Sequence, residues 1–468
     1  MKIVYLHHHL RPGGVTKVIE EQVKSLNASV EPLAVVGEPP SRPGPFPFTV
    51  VPAISYDRDR NDSTRPDTIA RSIMNAAHTE WKDGPDLFHV HNPILGKNKD
   101  FIKVINALIS MGEKVLLQIH DFAEDGRPYG YRSEEYPADC HYGVINMRDF
   151  GVLIRSGLKE EGLHYIPNPV HQLNIKTDIK DRDIILYPIR AIRRKNIGEA
   201  VLVSLFIADN RKVGITLEPT SPLDRQSYHG WMDFVKSEKL KVLFRLGVDN
   251  DYETVLSKSC CMITTSVKEG FGLTYLEPWG IGRMLFGRLL PDICSDFFKK
   301  GLLLDHLYRK ILIPLDFMDR DLFARKWQNC YIEKLRLYGM SYEDWKIDED
   351  FQKLTEEGCI DFGYLNGILQ KQVMLNLINS RKKYKKVLDI NPFLENIVFS
   401  DNEREIVDTN KKIVESEYSL QKNRDNLLKV YDKVLNRKVT QSINRKVLLE
   451  TFNTPQQSYL LLCDSAYG

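Results

Sequence analysis

The stretch "MKIVYLHHHLRPGGVTKVIEEQVKSL" (residues 1–26) passes from a short apolar run through three histidines and a glycine pair into a periodic tract. "KIVYL" (2–6) has the length and apolar content of a buried strand. Beyond it, Val15, Val18, Ile19, Val23 and Leu26 recur at helical spacing. The glycines between them suit a tight strand-to-helix turn. Together these features predict a strand–turn–helix unit.

The same alternation continues along the chain. "PLAVVG" (32–37), "DLFHV" (86–90), "KVLLQI" (114–119), "DIILYP" (183–188), "VGITL" (213–217), "KVLFRL" (241–246) and "CCMITT" (260–265) are strand candidates with helical tracts between them. Strands alternating with helices predict an α/β protein whose parallel sheets are packed between helices.

At 468 residues the chain exceeds one ordinary core, so two or three domains are expected. The boundary falls at "IPNPVHQLNIKTDIKDRD" (166–183), where two prolines and a polar tract precede a fresh strand. The expected plan is a first domain over 1–168, a linker over 169–182, a second domain over 183–440 and a tail over 441–468. Residues 38–68 read as a long excursion and 316–395 as a charge-rich insertion. Ile413, Leu420, Leu427 and Val434 mark an amphipathic helix expected to pack on its own protein.

Lys plus Arg total 65 against 63 for Asp plus Glu, a net charge of +2, which argues against a general nucleic-acid binder. Seven cysteines without a C-x-x-C pair suggest reduced thiols and a cytoplasmic setting. The first residues lack a signal-peptide pattern, and no apolar run reaches the roughly 20 residues of a membrane span. Nothing in the sequence supports a membrane-surface contact beyond solvated basic faces.

In open α/β sheets ligands bind beyond the carboxyl ends of the strands. Polar or glycine-rich groups stand there after five of the strand candidates: His7 to His9 with Gly13 and Gly14; His91 and Asn92; His120 and Asp121; Arg190 and Lys195; and Glu269, Gly270, Phe271 and Gly272. Each group has a bland reading as well. A glycine pair serves any tight turn, His120 can be a satisfied core histidine, and Arg190 and Lys195 can be surface charge. Together at one strand end, the two cations would neutralise a diphosphate.

"SVKEGFGLTYLEPW" (266–279) is more specific, because Gly270 and Gly272 permit a sharp turn and expose amide N–H groups. A helix expected to start near Leu273 would place Glu277 about one turn in, suited to a ribose diol. Glu269 would face the sugar end of the same ligand.

"E-G-F-G-L-x-x-L-E" resembles the Glu-x7-Glu motif of the retaining group 1 glycosyltransferases of GT-B fold. "RAIRRKN" (190–196) resembles their phosphate-binding element, "RPGGVTKVIEEQVKSL" their N-terminal glycine loop, and "QIHDF" their donor-sugar segment. "IPNPV" and "RLGVDNDYETVLSKSCCMITTS" resemble further segments of that family. The resemblance spans about residues 1–290, with a return at 395–435. It implies two Rossmann-like domains facing across a cleft, the first on the acceptor side and the second binding the donor, with a helical insertion and a C-terminal amphipathic helix.

Carried onto matching positions, the resemblance gives Arg190 and Lys195 the leaving diphosphate, and Glu269 and His120 the donor sugar. Glu277 takes the ribose, and Gly247 and Val248 hold the base by their backbone. Gly13, Gly14, Gly270, Phe271, Gly272 and Leu273 supply the surrounding backbone donors. It implies a nucleotide sugar as co-substrate, a hydroxyl acceptor, no cofactor and no metal. Ile189 replaces a usual glycine, Pro278 follows Glu277 directly, and "WGIGRMLFGRLLP" departs from the family's next strand. A sugar phosphorylase or nucleotide-sugar epimerase on the same architecture is the alternative enzyme, and a non-catalytic sugar- or partner-binding protein is the alternative of another class.

Overall fold

In the computed structural model, residues 1–42, 44–59, 63–171, 182–341, 343, 346–395, 397 and 403–463 are described. The chain divides into two units: Met1–His171 with Ser416–Phe452, and Gln172–Glu415 with Asn453–Gly468. Most of the expected linker, residues 172–181, lies outside the described residues.

The first unit is a seven-stranded parallel sheet. Its strands are β1 (Lys2–Leu6), β2 (Glu31–Val36), β3 (Phe48–Val50), β4 (Leu87–His91), β5 (Val115–Ile119), β6 (His141–Val144) and β7 (Leu163–Tyr165), in the order β3-β2-β1-β4-β5-β6-β7. Side chains alternate across a strand, so β1 feeds two cores. Val4 and Leu6 pack with Phe88, Val90 and the apolar stripes of helices Pro66–Glu80 and Phe101–Ser110. Ile3 and Tyr5 pack on the other face with Ile19, Val23 and Leu26 of helix Gly14–Leu26, and with Leu427, Val430, Tyr431 and Val434. Burial on both faces explains why the strands read as continuous apolar runs.

The apolar repeat at 413–434 spans two helices, Arg404–Glu417 and Leu420–Asn436. The second packs against helix Gly14–Leu26, and the Tyr431 hydroxyl meets that of Tyr5 at 3.1 Å. The reading that carried the second domain through residue 440 is therefore corrected, because Ser416–Phe452 fold onto the first unit. The expected tail contributes helix Arg445–Phe452, in which Arg445 binds the buried Glu124 carboxylate at 2.7 Å.

The second unit holds a five-stranded parallel sheet: β8 (Ile184–Arg190), β9 (Lys212–Leu217), β10 (Val242–Leu243), β11 (Ser259–Thr264) and β12 (Met284–Gly287), ordered β10-β9-β8-β11-β12. The strand expected over 241–246 stops after two residues, because Arg245 turns left-handed (φ +65) and starts the short helix Leu246–Asp249.

The insertion is helical, with Arg320–Leu337, Gly367–Ile378 and Arg381–Ile390 the longest elements. It also completes a small antiparallel sheet of β13 (Leu312–Pro314), β14 (Thr355–Glu356) and β15 (Cys359–Asp361), in the order β13-β15-β14. Buried Arg288 ties it to the main sheet, donating to Asp361 Oδ2 at 2.7 Å and to Glu199 Oε1 at 2.9 Å. Cys330 and Cys463 form a disulfide, where reduced thiols were expected throughout; the other five cysteines are not in a disulfide. No helix among the described residues is long and apolar enough to cross a membrane.

Candidate functional site

In the second unit the loops leaving the adjacent strands β8 and β11 are stitched together. The Val267 amide donates to Arg194 O at 2.9 Å, and Thr265 Oγ1 donates to Lys195 O and Asn196 O at 3.1 and 3.0 Å. The buried Tyr187 hydroxyl bridges them, donating to Lys195 O at 2.8 Å and meeting Ser266 Oγ at 3.0 Å. After β8 the chain makes one tight turn at Arg193–Lys195, and Asn196 in a left-handed conformation opens helix Ile197–Ser204.

This frame puts two cations on one buried carboxylate. Arg194 Nη1 donates to Glu269 Oε2 at 2.7 Å and to Lys268 O at 3.1 Å, while Lys195 Nζ donates to Glu269 Oε1. Burial pushes the Glu269 carboxyl up, but Lys195 and Arg194 outweigh it and hold the group at about 2. Burial in turn lowers the Lys195 ammonium below its ordinary value, against the pull of Glu269. Each cation keeps donors beyond those used on Glu269, since an ammonium has three N–H groups and a guanidinium five.

Arg194 was not among the residues singled out from the sequence, although "RRK" (193–195) contained it. Arg190, which was, is exposed at the end of β8 and donates to Glu218 O at 3.1 Å on the side of β9. The structure thus joins Lys195 to Glu269 and gives the second contact to Arg194.

The glycine turn has a steric cause at Gly272. Its φ is +91, and a Cβ there would stand 2.9 Å from both Ile293 Cγ2 and Tyr275 Cδ2. Phe271 points inward, edge-on to Phe297. The helix expected from Leu273 is a 3-10 turn over Leu273–Tyr275, followed by the four-residue helix Glu277–Gly280. Glu277 therefore opens a helix instead of lying a turn inside one, and Pro278 falls in a first turn that needs no amide hydrogen bond. The partly buried Glu277 carboxylate acts electrostatically on both Lys195 and Tyr252, the latter unforeseen. Gly247 lies against Thr216 (3.3 Å for an added Cβ), and Val248 is exposed. Gly270 is partly buried in the same loop as Glu269.

In the first unit, Gly13 and Gly14 are exposed at the start of helix Gly14–Leu26, and an added Cβ at Gly14 would meet nothing within 4 Å. His120 follows β5 and is buried, its Nε2 3.0 Å from His91 Nδ1. His91 Nε2 is buried without a hydrogen-bond partner. A bare ring nitrogen there costs less than a stranded N–H, which puts the His91 proton on Nδ1, donating to His120. Burial pushes His120 down to about 4, so it is neutral at pH 7. Among the described residues, no group of three or more His, Cys, Asp or Glu is placed to hold a metal ion.

Solved structures share this architecture. Sucrose-phosphate synthase from Thermosynechococcus elongatus aligns over 92% of this chain and 98% of its own, with TM-score 0.54 and 12% identity. Anabaena HepE in complex with UDP and glucose aligns over 92% and 99%, with TM-score 0.53 and 11% identity. A glycosyltransferase from Rickettsia africae aligns over 93% and 99%, with TM-score 0.53 and 12% identity.

The chain has the GT-B glycosyltransferase fold.

No family model matches this GT-B chain. A curated relative, mannosylglucosyl-3-phosphoglycerate synthase of Petrotoga mobilis, is 27% identical over 408 residues, 78% of this chain and 79% of the relative. Within the GT-B fold, the Lys195–Glu269–Arg194 cluster lies beyond the carboxyl ends of two neighbouring parallel strands, where ligands of open α/β sheets bind.

Proposed function

We propose that the chain is a retaining glycosyltransferase that moves a hexosyl unit from a nucleotide-diphosphate sugar to a hydroxyl acceptor without a metal ion. The observation that carries this reading is the set of two cations and two carboxylates at the ends of β8 and β11. Lys195 and Arg194 share Glu269, and Glu277 adds its field on Lys195. As the glycosidic bond breaks, negative charge collects on the leaving diphosphate, and preorganised N–H donors stabilise it there. Lys195 and Arg194 act in this role, which a divalent cation fills elsewhere.

Glu277 binds the ribose diol, and the loop of Gly270 to Leu273 with Gly247 and Val248 supplies backbone donors. Glu269 orients the donor sugar, and the neutral His120 of the first unit offers a hydrogen bond and not a charge. Retention follows from attack by the acceptor on the face the diphosphate leaves, with the diphosphate taking the acceptor's proton. The UDP-and-glucose complex of the Anabaena neighbour and the name of the Petrotoga relative support sugar transfer. That name also describes a product bearing phosphoglycerate, which favours a small anionic molecule over a neutral glycan as acceptor.

Calorimetric titration of UDP, GDP and ADP, alone and as their sugars, into wild type and Glu277→Ala tests the donor site. One nucleotide should bind at micromolar level and lose at least about tenfold in the variant, the scale of one charged hydrogen bond. Equal binding to both proteins, or none to either, sinks the assignment. Product anomeric configuration by NMR, and turnover in the presence of a chelator, test retention and metal independence.

A further inference from the structure

Three loops beyond the carboxyl ends of β3, β4 and β5 are locked together in the first unit. Asn98 Nδ2 donates to Ala53 O at 2.9 Å and to Ser55 O at 2.7 Å. The Asp57 amide donates to Lys97 O, and the Lys99 amide to Asp57 Oδ2, each at 2.9 Å. These bonds join the β4 loop to the β3 loop. Gly96 (φ +56) and Gly130 join it to the β5 loop: an added Cβ would stand 2.2 Å from Gly130 O in one case and 2.6 Å from Leu95 O in the other. Only glycine at both positions permits this backbone contact.

The locking gathers positive charge. Lys97 Nζ and the Arg58 guanidinium lie 6.0 and 5.5 Å from the centre of the Tyr56 ring, whose hydroxyl is 3.0 Å from His9 Nε2. Arg127 is aimed by Asp121 Oδ1 at 2.5 Å and by Phe122 O at 3.1 Å. Nearby carboxylates are occupied: Glu38 and Asp59 hold Arg11, Asp59 also lies 3.5 Å from Arg58, and Asp121 holds Arg127. Among the described residues Lys97, exposed on its loop, has no carboxylate at ion-pair distance. Desolvation by the neighbouring loops first, and then Arg127 and Arg58, press its ammonium towards the neutral form, against the pull of Asp121. An anion bound there relieves the repulsion among the three cations.

We propose that Lys97, with Arg127 and Arg58, forms the subsite for an anionic group, a phosphate or a carboxylate, on the acceptor. The proposal rests on the glycosyl-transfer reading. It assigns these cations to the acceptor because they stand at the same strand ends as His120, in the unit that does not hold the Lys195–Glu269 cluster. Tyr129 in the β5 loop is 66% exposed and adds an aromatic face for the carbon skeleton.

The test is calorimetric titration of the full chain, with and without UDP, using glycerol 3-phosphate, glycerate and glycerol as probes. The proteins are wild type, Lys97→Gln, Arg58→Gln and Arg127→Gln, with thermal melts confirming that each is folded. At least one anionic probe should bind, glycerol should not, and Lys97→Gln should weaken the anion about tenfold or more. Lys97 makes no side-chain hydrogen bond within the described residues, so this variant separates recognition from folding even if Arg127→Gln is unstable. Tighter binding of glycerol 3-phosphate names phosphate as the group, and tighter binding of glycerate names carboxylate. Absence of anion binding, or equal binding by wild type and Lys97→Gln, overturns the proposal. UDP is read separately: if no nucleotide binds, the glycosyl-transfer reading fails, whereas UDP binding with no anion response to Lys97→Gln overturns the acceptor subsite alone.

Discussion

Lys195 and Glu269 are 74 residues apart in the chain and form an ion pair at the ends of two hydrogen-bonded parallel strands. Arg194, on the same turn as Lys195, completes the grip on the carboxylate at 2.7 Å. Both cations are thereby fixed in place before any ligand arrives, which is what electrostatic stabilisation of a leaving group requires.

Arginines 190 and 194 should separate cleanly. Arg194→Ala removes one clamp from Glu269 and should lower turnover on the order of 10²-fold, the scale of losing one preorganised donor. Arg190→Ala leaves the Glu269 cluster intact and should have the smaller effect. Steady-state sugar transfer by the two variants decides the matter; a larger loss for Arg190→Ala would restore the role first read from the sequence.

Acid should weaken the fold through Glu269. Its carboxyl is held at about 2 against an ordinary 4.5, so the unfolded chain binds the proton more readily. The resulting stability is present above about pH 4.5 and is lost as pH falls towards about 2; its size is on the order of 3 kcal/mol. Urea melts at stepped pH should show wild type and Glu269→Gln converging in stability on acidification. A constant gap between them would mean that the pair does not lower the carboxyl.

Gly272→Ala should destabilise the second unit by about 1–3 kcal/mol, because the left-handed backbone and the contacts with Ile293 and Tyr275 both oppose a side chain. Chemical denaturation measures this directly, and an unchanged midpoint would show that the turn adapts.

Leu427→Ala should cost about 2–5 kcal/mol, since the side chain is fully buried in the core shared with β1. A loss under about 0.5 kcal/mol, the range of surface substitutions, would argue that the helix Leu420–Asn436 is only loosely attached to the first unit.

The parts of the fold legible in the sequence were those with dense, local apolar patterns. β1, β2, β4, β5, β8, β9 and β11 all fall on the expected runs within a residue or two. β6, "HYGV", and β7, "LHY", escaped notice because histidine and glycine dilute their apolar signal, and β3 hides in a proline-rich excursion. At the candidate site, the glycine turn and the Lys195–Glu269 pair were within reach, since each lies beside a readable strand. The choice between Arg190 and Arg194 was not, because it depends on which way a one-turn helix rotates the chain after β8.

The sequence by itself determined two parallel α/β sheets and the strand ends that carry polar groups, because strand and helix periodicities are local properties of the chain. Only the tertiary structure decided that Ser416–Phe452 return to the first unit, that Arg194 joins Lys195 on Glu269, and that Lys97, Arg127 and Arg58 gather beyond the first sheet. Those outcomes depend on side chains far apart in sequence meeting in a densely packed interior, where a single backbone contact such as Gly96 against Gly130 sets which charges face one another.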